Sequence, residues 1–297
     1  MLFRTAVAAI DAGDLAALER LLAAHPHLAS ARLEAAGAWL RDVVKGALDG
    51  FFQRPFLLWF VAEDPVRRGV LPANIATVAQ TLIDAARRTA PYSLPEQVQY
   101  ALRLVAWSWI ARQCGVQIAL IDVLLAAGAS PAGEPDNALV NGNLDAAAHL
   151  VARGAPLTLS SALCLGYFDR AAALAPGATR GQKQFALTMS ALSGNAAAVS
   201  AAIGFGVDLA APSPDLYPHA TALHHAVRRP GHLGPRCLAA APQVVEEQVH
   251  GEPRQLCRPV PRGCLERHVA DLGGQRQGRA QHPLERLVDL SDEHVSL

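Results

Sequence analysis

The residues best suited to metal chemistry are His250, Cys257, Cys264 and His268, all near the C-terminal end of the 297-residue chain. Cys264 and His268 stand four apart, close to a ligand spacing, but structural zinc sites anchor one end on a tight pair such as Cys-x2-Cys. The six residues between Cys257 and Cys264 are too many for that, so no metal site is expected. Gly273 to Arg279 is only faintly like a Gly/Arg RNA-binding segment. The ten arginines from 228 onward face nine acidic residues, so phosphate gains little attraction. Cys114 and Cys164 sit in apolar helical contexts and read as small core residues. No Gly-x-Gly-x-x-Gly, P-loop, His-Glu-x-x-His or Gly-x-Ser-x-Gly occurs, so neither a catalytic nor a cofactor site is expected.

Composition bounds the rest. Hydrophobic residues make up 51% and charged residues 18%, a globular balance. The 26 basic and 26 acidic residues cancel, so the charge excess that a nucleic-acid or acidic-membrane binder carries is absent. Five irregularly spaced cysteines make no disulfide framework. Met1 to Ala6 does not read as a signal peptide, and Leu57 to Ala62 is too short to span a bilayer. The expectation is a cytoplasmic protein without a membrane partner.

The element that organises the chain is Cys114 to Pro131: a glycine turn, a short apolar helix and a Gly-Ala stop. Ile118, Ile121, Leu124 and Leu125 fall at helical spacing, and Gly128 stands where the last carbonyls need a left-handed residue. A helix of about ten residues is marginal alone, so it must stack on neighbours. Turn glycines recur at Gly115, Gly142, Gly166 and Gly194, with closing glycines 11 to 13 positions later at Gly128, Gly154, Gly177 and Gly206. Between them lie predicted helices at Leu144 to Val151, Phe168 to Leu174 and Ala196 to Ile203, the periodic signature of a solenoid. An earlier copy places Leu15, Leu18, Leu21 and Leu22 on one face and ends at Pro26. Residues 36 to about 110 hold 10 of the 16 aromatics, either as a thickened core or partly as an exposed surface. Asp64-Pro65 and Leu71-Pro72 break helices there, and Ile75 to Ala86 reads as a helix.

Ala9 to Leu22, Cys114 to Pro131, Asn141 to Ala155 and Gly194 to Leu209 resemble second halves of ankyrin repeats. Tyr217 to Val227 resembles a first half, matching Thr-Pro-Leu-His-x-Ala as Thr221-Ala222-Leu223-His224-His225-Ala226. The resemblance spans roughly 1 to 227 and is weakest from 36 to 100. It implies an all-α, ankyrin-repeat solenoid of stacked antiparallel helix pairs over 1–227, followed by a mostly irregular tail over 228–297. It also implies a non-enzymatic module binding a protein partner on its concave face, through segments around Gln184 to Ser190 and Tyr217 to His225. A bacterial effector docking on a host protein, or a scaffold for an enzymatic site, are the alternative readings. The resemblance makes His224 structural, bonded to turn backbone, and turns His225 to solvent.

The pattern stops after Val227, where Pro230 and Pro235 forbid the next regular helix. Leu223, Ala226 and Val227 are then expected at an uncapped end, favouring weak self-association. Residues 228–297 contain no Phe, Tyr, Met, Ile, Asn or Lys, against 28 of these in the first 227 positions. Seven prolines and seven glycines fill a fifth of that tail. GC-rich coding DNA read out of frame gives such a composition, and a chain frameshifted or otherwise replaced after about Val227 is the expectation. Reading the coding DNA in three frames tests it: an ankyrin-like continuation in another frame is the expected result, and its absence from all frames would count against it.

Overall fold

The computed structural model describes residues 1–213 and 217–228, with side chains at 1–213 and 220–226. His250, Cys257, Cys264, His268 and Gly273 to Arg279 lie outside the described residues, as does the 228–297 tail beyond Arg228. The described chain is mostly helical, with one two-stranded ribbon. No described helix is long and apolar enough to cross a membrane.

Helices α1 (Leu2–Ala12) and α2 (Leu15–Ala24) fold back on each other around Gly13. Gly13 has φ 67°, and a Cβ there would stand 2.3 Å from Asn74 Oδ1, so only glycine fits. Asp14 then caps α2, accepting from the Ala17 amide at 2.9 Å. Leu18 and Leu22 are buried, Leu15 and Leu21 half-buried, and a 3-10 turn at Pro26–Ala29 ends the unit.

The following elements form two rows. The first row runs from α1 through a 3-10 segment, Leu57–Ala62, to α5 (Leu94–Trp107), α8 (Glu134–Val140), α10 (Leu159–Cys164), α12 (Arg180–Ser193) and α14 (Ala222–Arg228). Each member touches the next. The second row runs α2, α4 (Ile75–Thr89), α7 (Gln117–Ala126) and α9 (Leu144–Ala152), again neighbour to neighbour. Second-row helices α11 (Phe168–Leu174) and α13 (Ala196–Gly204) pack on their own partners α10 and α12. Two short helices, α3 (Ala38–Val44) and α6 (Trp109–Gln113), lie in the connections. Strands β1 (Pro212–Ser213) and β2 (Tyr217–Thr221) pair antiparallel just before α14.

The turn glycines behave as the spacing requires: Gly115, Gly142, Gly166 and Gly194 have φ between 70° and 80°. Gly128 closes α7 at φ 105°, with its amide on the Leu125 carbonyl and that of Ala129 on Leu124. Gly177 differs. It ends a 3-10 turn, Ala175–Gly177, entered through Pro176, and needs no left-handed backbone. On α7 the buried stripe is Leu120, Ile121 and Leu124, while Ile118 and Leu125 are half-buried.

The 36–110 region is a thickened core. Phe52, Phe56, Trp59 and Phe60 are buried in ring-to-ring contact, and Trp39, Phe51, Tyr100 and Trp107 are half-buried. Tyr92 and Trp109 are the exceptions, both exposed. All six residues of Leu57–Ala62 are buried, because this segment takes the place of a first-row helix in the second layer.

What holds that segment is a buried ion cluster. Glu63 ends it at φ 52°, and its carboxylate accepts the amides of Arg67 at 2.8 Å and Gly69 at 2.9 Å, with that of Arg68 between them. The Arg67 guanidinium bonds Asp11 of α1 through both its terminal nitrogens, at 2.8 and 3.1 Å. It also donates to Glu63 at 2.8 Å and to the Phe60 carbonyl at 3.2 Å, with its carbon 4.8 Å from the Phe60 ring centre. One side chain thus ties the first layer to the second. Arg67→Ala leaves two carboxylates short of their cation and is expected to cost about 3–5 kcal/mol in urea unfolding. Arg67→Lys should recover only part of that, since an ammonium cannot form the fork.

Candidate functional site

The segments that lead from a second-row helix to the next first-row element lie along one edge, and first-row side chains pin them. Gln97 donates to the Ala29 carbonyl at 3.1 Å and to Ser93 Oγ at 3.0 Å. Gln99 brackets Ser130, accepting its amide at 2.7 Å and donating to its carbonyl at 3.1 Å. Asp136 accepts from Thr158 at 2.9 Å and Ser160 at 2.6 Å, and Gln184 donates to the Ala211 carbonyl at 2.8 Å. These junctions carry such bonds because a loop's polar groups must find partners once packed against a helix.

An open cleft of about 370 Å³ lies on this edge, lined by Ser30, Arg32, Glu34, Phe56, Tyr92, Ser93 and Glu96. Arg32 lies 4.1 Å over the Phe56 ring and 5.4 Å from that of Trp59. It donates to the Arg54 carbonyl at 3.2 Å and pairs with Glu96, while Arg54 pairs with Glu34. Tyr92 stands 84% exposed on the short 3-10 turn that leads into α5. The cleft offers an exposed ring, hydroxyls and mutually neutralised charges, the chemistry of a contact surface.

The opposite edge carries the turns within each helix pair. The carbonyls at the end of α5 stay buried and are met by amide side chains. Gln117 donates to Val105 at 2.8 Å, Asn143 to Ala106 at 2.8 Å and Asn141 to Trp107 at 2.8 Å. Ser108 breaks the helix there and caps α6 on the Ala111 amide at 3.0 Å. Trp109, Leu144, Tyr167 and Phe168 are exposed at the starts of the helices on this edge.

The two segments expected to bind a partner fare differently. Gln184 to Ser190 is buried throughout: α12 has α10 and α14 on either side and α13 against it, so it presents no surface there. His224 does bond the turn, its Nδ1 lying 2.8 Å from Thr221 Oγ1 and 3.3 Å from the Thr221 amide. His225 is corrected from solvent to interior. It is 5% exposed, because the roughly 100° step along a helix that leaves His224 outside turns the next residue inward. Leu223 is 45% exposed, Ala226 is half-buried, and the Val227 side chain lies outside the described ones.

Three buried or half-buried carboxyls were not legible as such. Burial pushes Asp64 and Glu134 up to about 7, and lifts Asp136 against the bonds from Ser160 and Thr158. Asp64 is raised further by the neighbouring Glu63 charge. Burial also pushes the Cys164 thiol up to about 12, far from a reactive thiolate. Among the described residues, no group of three or more His, Cys, Asp or Glu side chains is placed to hold a metal ion. Asn143→Ala would strand buried carbonyls and is expected to cost about 1–3 kcal/mol, read as a lower urea midpoint at unchanged slope.

No family model, curated protein or solved structure matches this chain.

Proposed function

We propose that residues 1–227 form an ankyrin-type solenoid acting as a non-enzymatic protein-interaction module. The observation that carries this reading is the pinned loop edge: successive layers present their connecting segments on one side, held by first-row side chains. An edge made this way keeps its shape while its outward residues vary, which suits recognition of another protein. The hairpin before α14 and the Thr221–His224 bond support the ankyrin resemblance. The partner engages the loop edge at the Arg32 cleft, where Tyr92 supplies a large ring at small entropic cost. Exposed Leu223 supports a weak self-association through α14.

A photo-crosslinking side chain placed at Tyr92, with a control at exposed Ala197 on α13, tests the reading. The expected result is a discrete protein adduct at Tyr92 that is lost on Arg32→Glu and absent at Ala197. Tyr92→Ala should abolish partner capture while changing unfolding by no more than about 0.5 kcal/mol. Adducts confined to the edge of Trp109 and Phe168 would contradict the site, and turnover of a small molecule would contradict the module.

A further inference from the structure

The cleft on the loop edge pairs two arginines with two glutamates, and it holds the two signs of charge unequally. Arg32 is fixed through its backbone and its side chain. It forms a β-bridge with Phe56, and the next amide, that of Leu33, donates to the Pro55 carbonyl at 3.0 Å. Its guanidinium lies over the Phe56 and Trp59 rings and donates to the Arg54 carbonyl. The Arg32 side chain is 25% exposed, whereas that of its counter-ion Glu96 is 57% exposed. Glu96 stands in the first turn of α5, and among the described residues only Arg32 bonds its carboxylate. Arg54 and Glu34 form the second pair, with both side chains more than half exposed.

Water competes for both members of an exposed ion pair, so either carboxylate can leave at small cost. Arg32 cannot leave: two rings and a carbonyl keep it in place whichever anion it meets. The charge beside the cleft tilts the same way. Arg88, in the last turn of α4 just ahead of Tyr92, is exposed and has no ion pair among the described residues. Its neighbour Arg87 is taken by Asp84 at 2.9 Å. With Arg88 counted, three arginines answer two glutamates. The site therefore offers a preorganised cation whose own anions are exchangeable.

Resting on the protein-binding reading of this cleft, we propose that it takes an acidic segment of the partner, one of whose carboxylates replaces Glu96 on Arg32. Glu96 and Glu34 are then place-holders: they pair the guanidiniums while the cleft is empty and compete with the incoming acid. One ion pair is exchanged for another, so no unpaired charge is left behind. Affinity comes from the fixed guanidinium and the Tyr92 ring, and the place-holders set selectivity. The cleft of about 370 Å³ has room for a few side chains, which suits a segment rather than a domain face. A basic segment would find only Glu34 and Glu96, exposed side chains whose ordering costs entropy, and would bring its charge towards Arg88. A nucleic-acid strand needs a broad basic surface, and the 26 basic and 26 acidic residues cancel.

Arginine side-chain NMR of the full chain at low salt is the test, with end-capped hexaglutamate, end-capped hexalysine and hexathymidylate as probes. Hexaglutamate should shift the Arg32 and Arg54 Nε–H signals saturably, and more tightly than either other probe. Glu96→Gln removes the competitor and should tighten hexaglutamate about two- to fivefold. Arg32→Gln should weaken it about tenfold or more. Should Arg32→Gln not fold, Arg54→Gln replaces it, on an exposed side chain, and should weaken binding about two- to fivefold. No saturable shift with hexaglutamate, tighter binding of hexalysine or hexathymidylate, or a Glu96→Gln variant that fails to tighten hexaglutamate would each overturn the proposal. The crosslink at Tyr92 keeps the two claims apart. A protein adduct that Glu96→Gln weakens overturns the acidic partner alone, and hexaglutamate binding without any protein adduct overturns only the protein-binding reading.

Discussion

First-row contact is the constraint on which the other features depend. Helices α8 and α10 have seven and six residues, too short to hold their own hydrogen bonds in water. They persist because each lies between two first-row neighbours and in front of a partner helix. Their buried faces, Ala138, Leu139 and Val140 on one and Ala162, Leu163 and Cys164 on the other, are small enough to let the axes approach closely. The core therefore runs along the array as two joined clusters rather than as one central mass. Helix α12 bridges them, with Phe185, Met189 and Leu192 in one and Ala186, Leu187 and Ala191 in the other.

Close approach of short helices creates a polar debt at their ends, and side chains from neighbouring layers settle it. Amides serve the helix ends and the loops: Gln117 and Asn143 at the end of α5, Gln99 at Ser130, Gln184 at Ala211. An amide can donate and accept without bringing a charge into the interior, which suits it to this task. Charge enters where geometry is strongest, in the Asp11–Arg67–Glu63 cluster with its forked guanidinium and three backbone donors. Glu134 is the looser case, a buried carboxyl whose arginine, Arg103, stands 3.7 Å away and makes no fork.

The second-row helices were legible because each is bracketed by punctuation. Phe168–Leu174 agrees with the sequence reading to the residue, and Leu144–Ala152 and Ala196–Gly204 each run one residue further. A left-handed turn before and a stop after leave little freedom in between. The first-row element Leu57–Ala62 was not legible as such. It is a continuous apolar run without helical period, and its position depends on Arg67 meeting Asp11 across 56 residues. Buried Glu134 was hidden for another reason: an acidic residue before Pro135 reads as an ordinary exposed helix start. Gln184 to Ser190 was misread because the resemblance placed the starts of first helices at the surface, whereas α12 is enclosed by α10, α13 and α14. The loop-edge cleft joins residues 30–34, 56 and 92–96, three separate segments with no local signal that they meet.

In the proposed solenoid the described residues are quasi-one-dimensional: each layer is stable through its neighbours and presents its connecting segment on a common edge. Native-state hydrogen exchange after Leu163→Ala, a cavity at the C-terminal end of α10, tests that claim most directly. Loss of protection should be greatest in α10 and α11, weaker in α8 and α12, and absent from α1 and α2. A uniform loss across the whole chain would contradict it, because only a single shared core responds everywhere to one missing side chain.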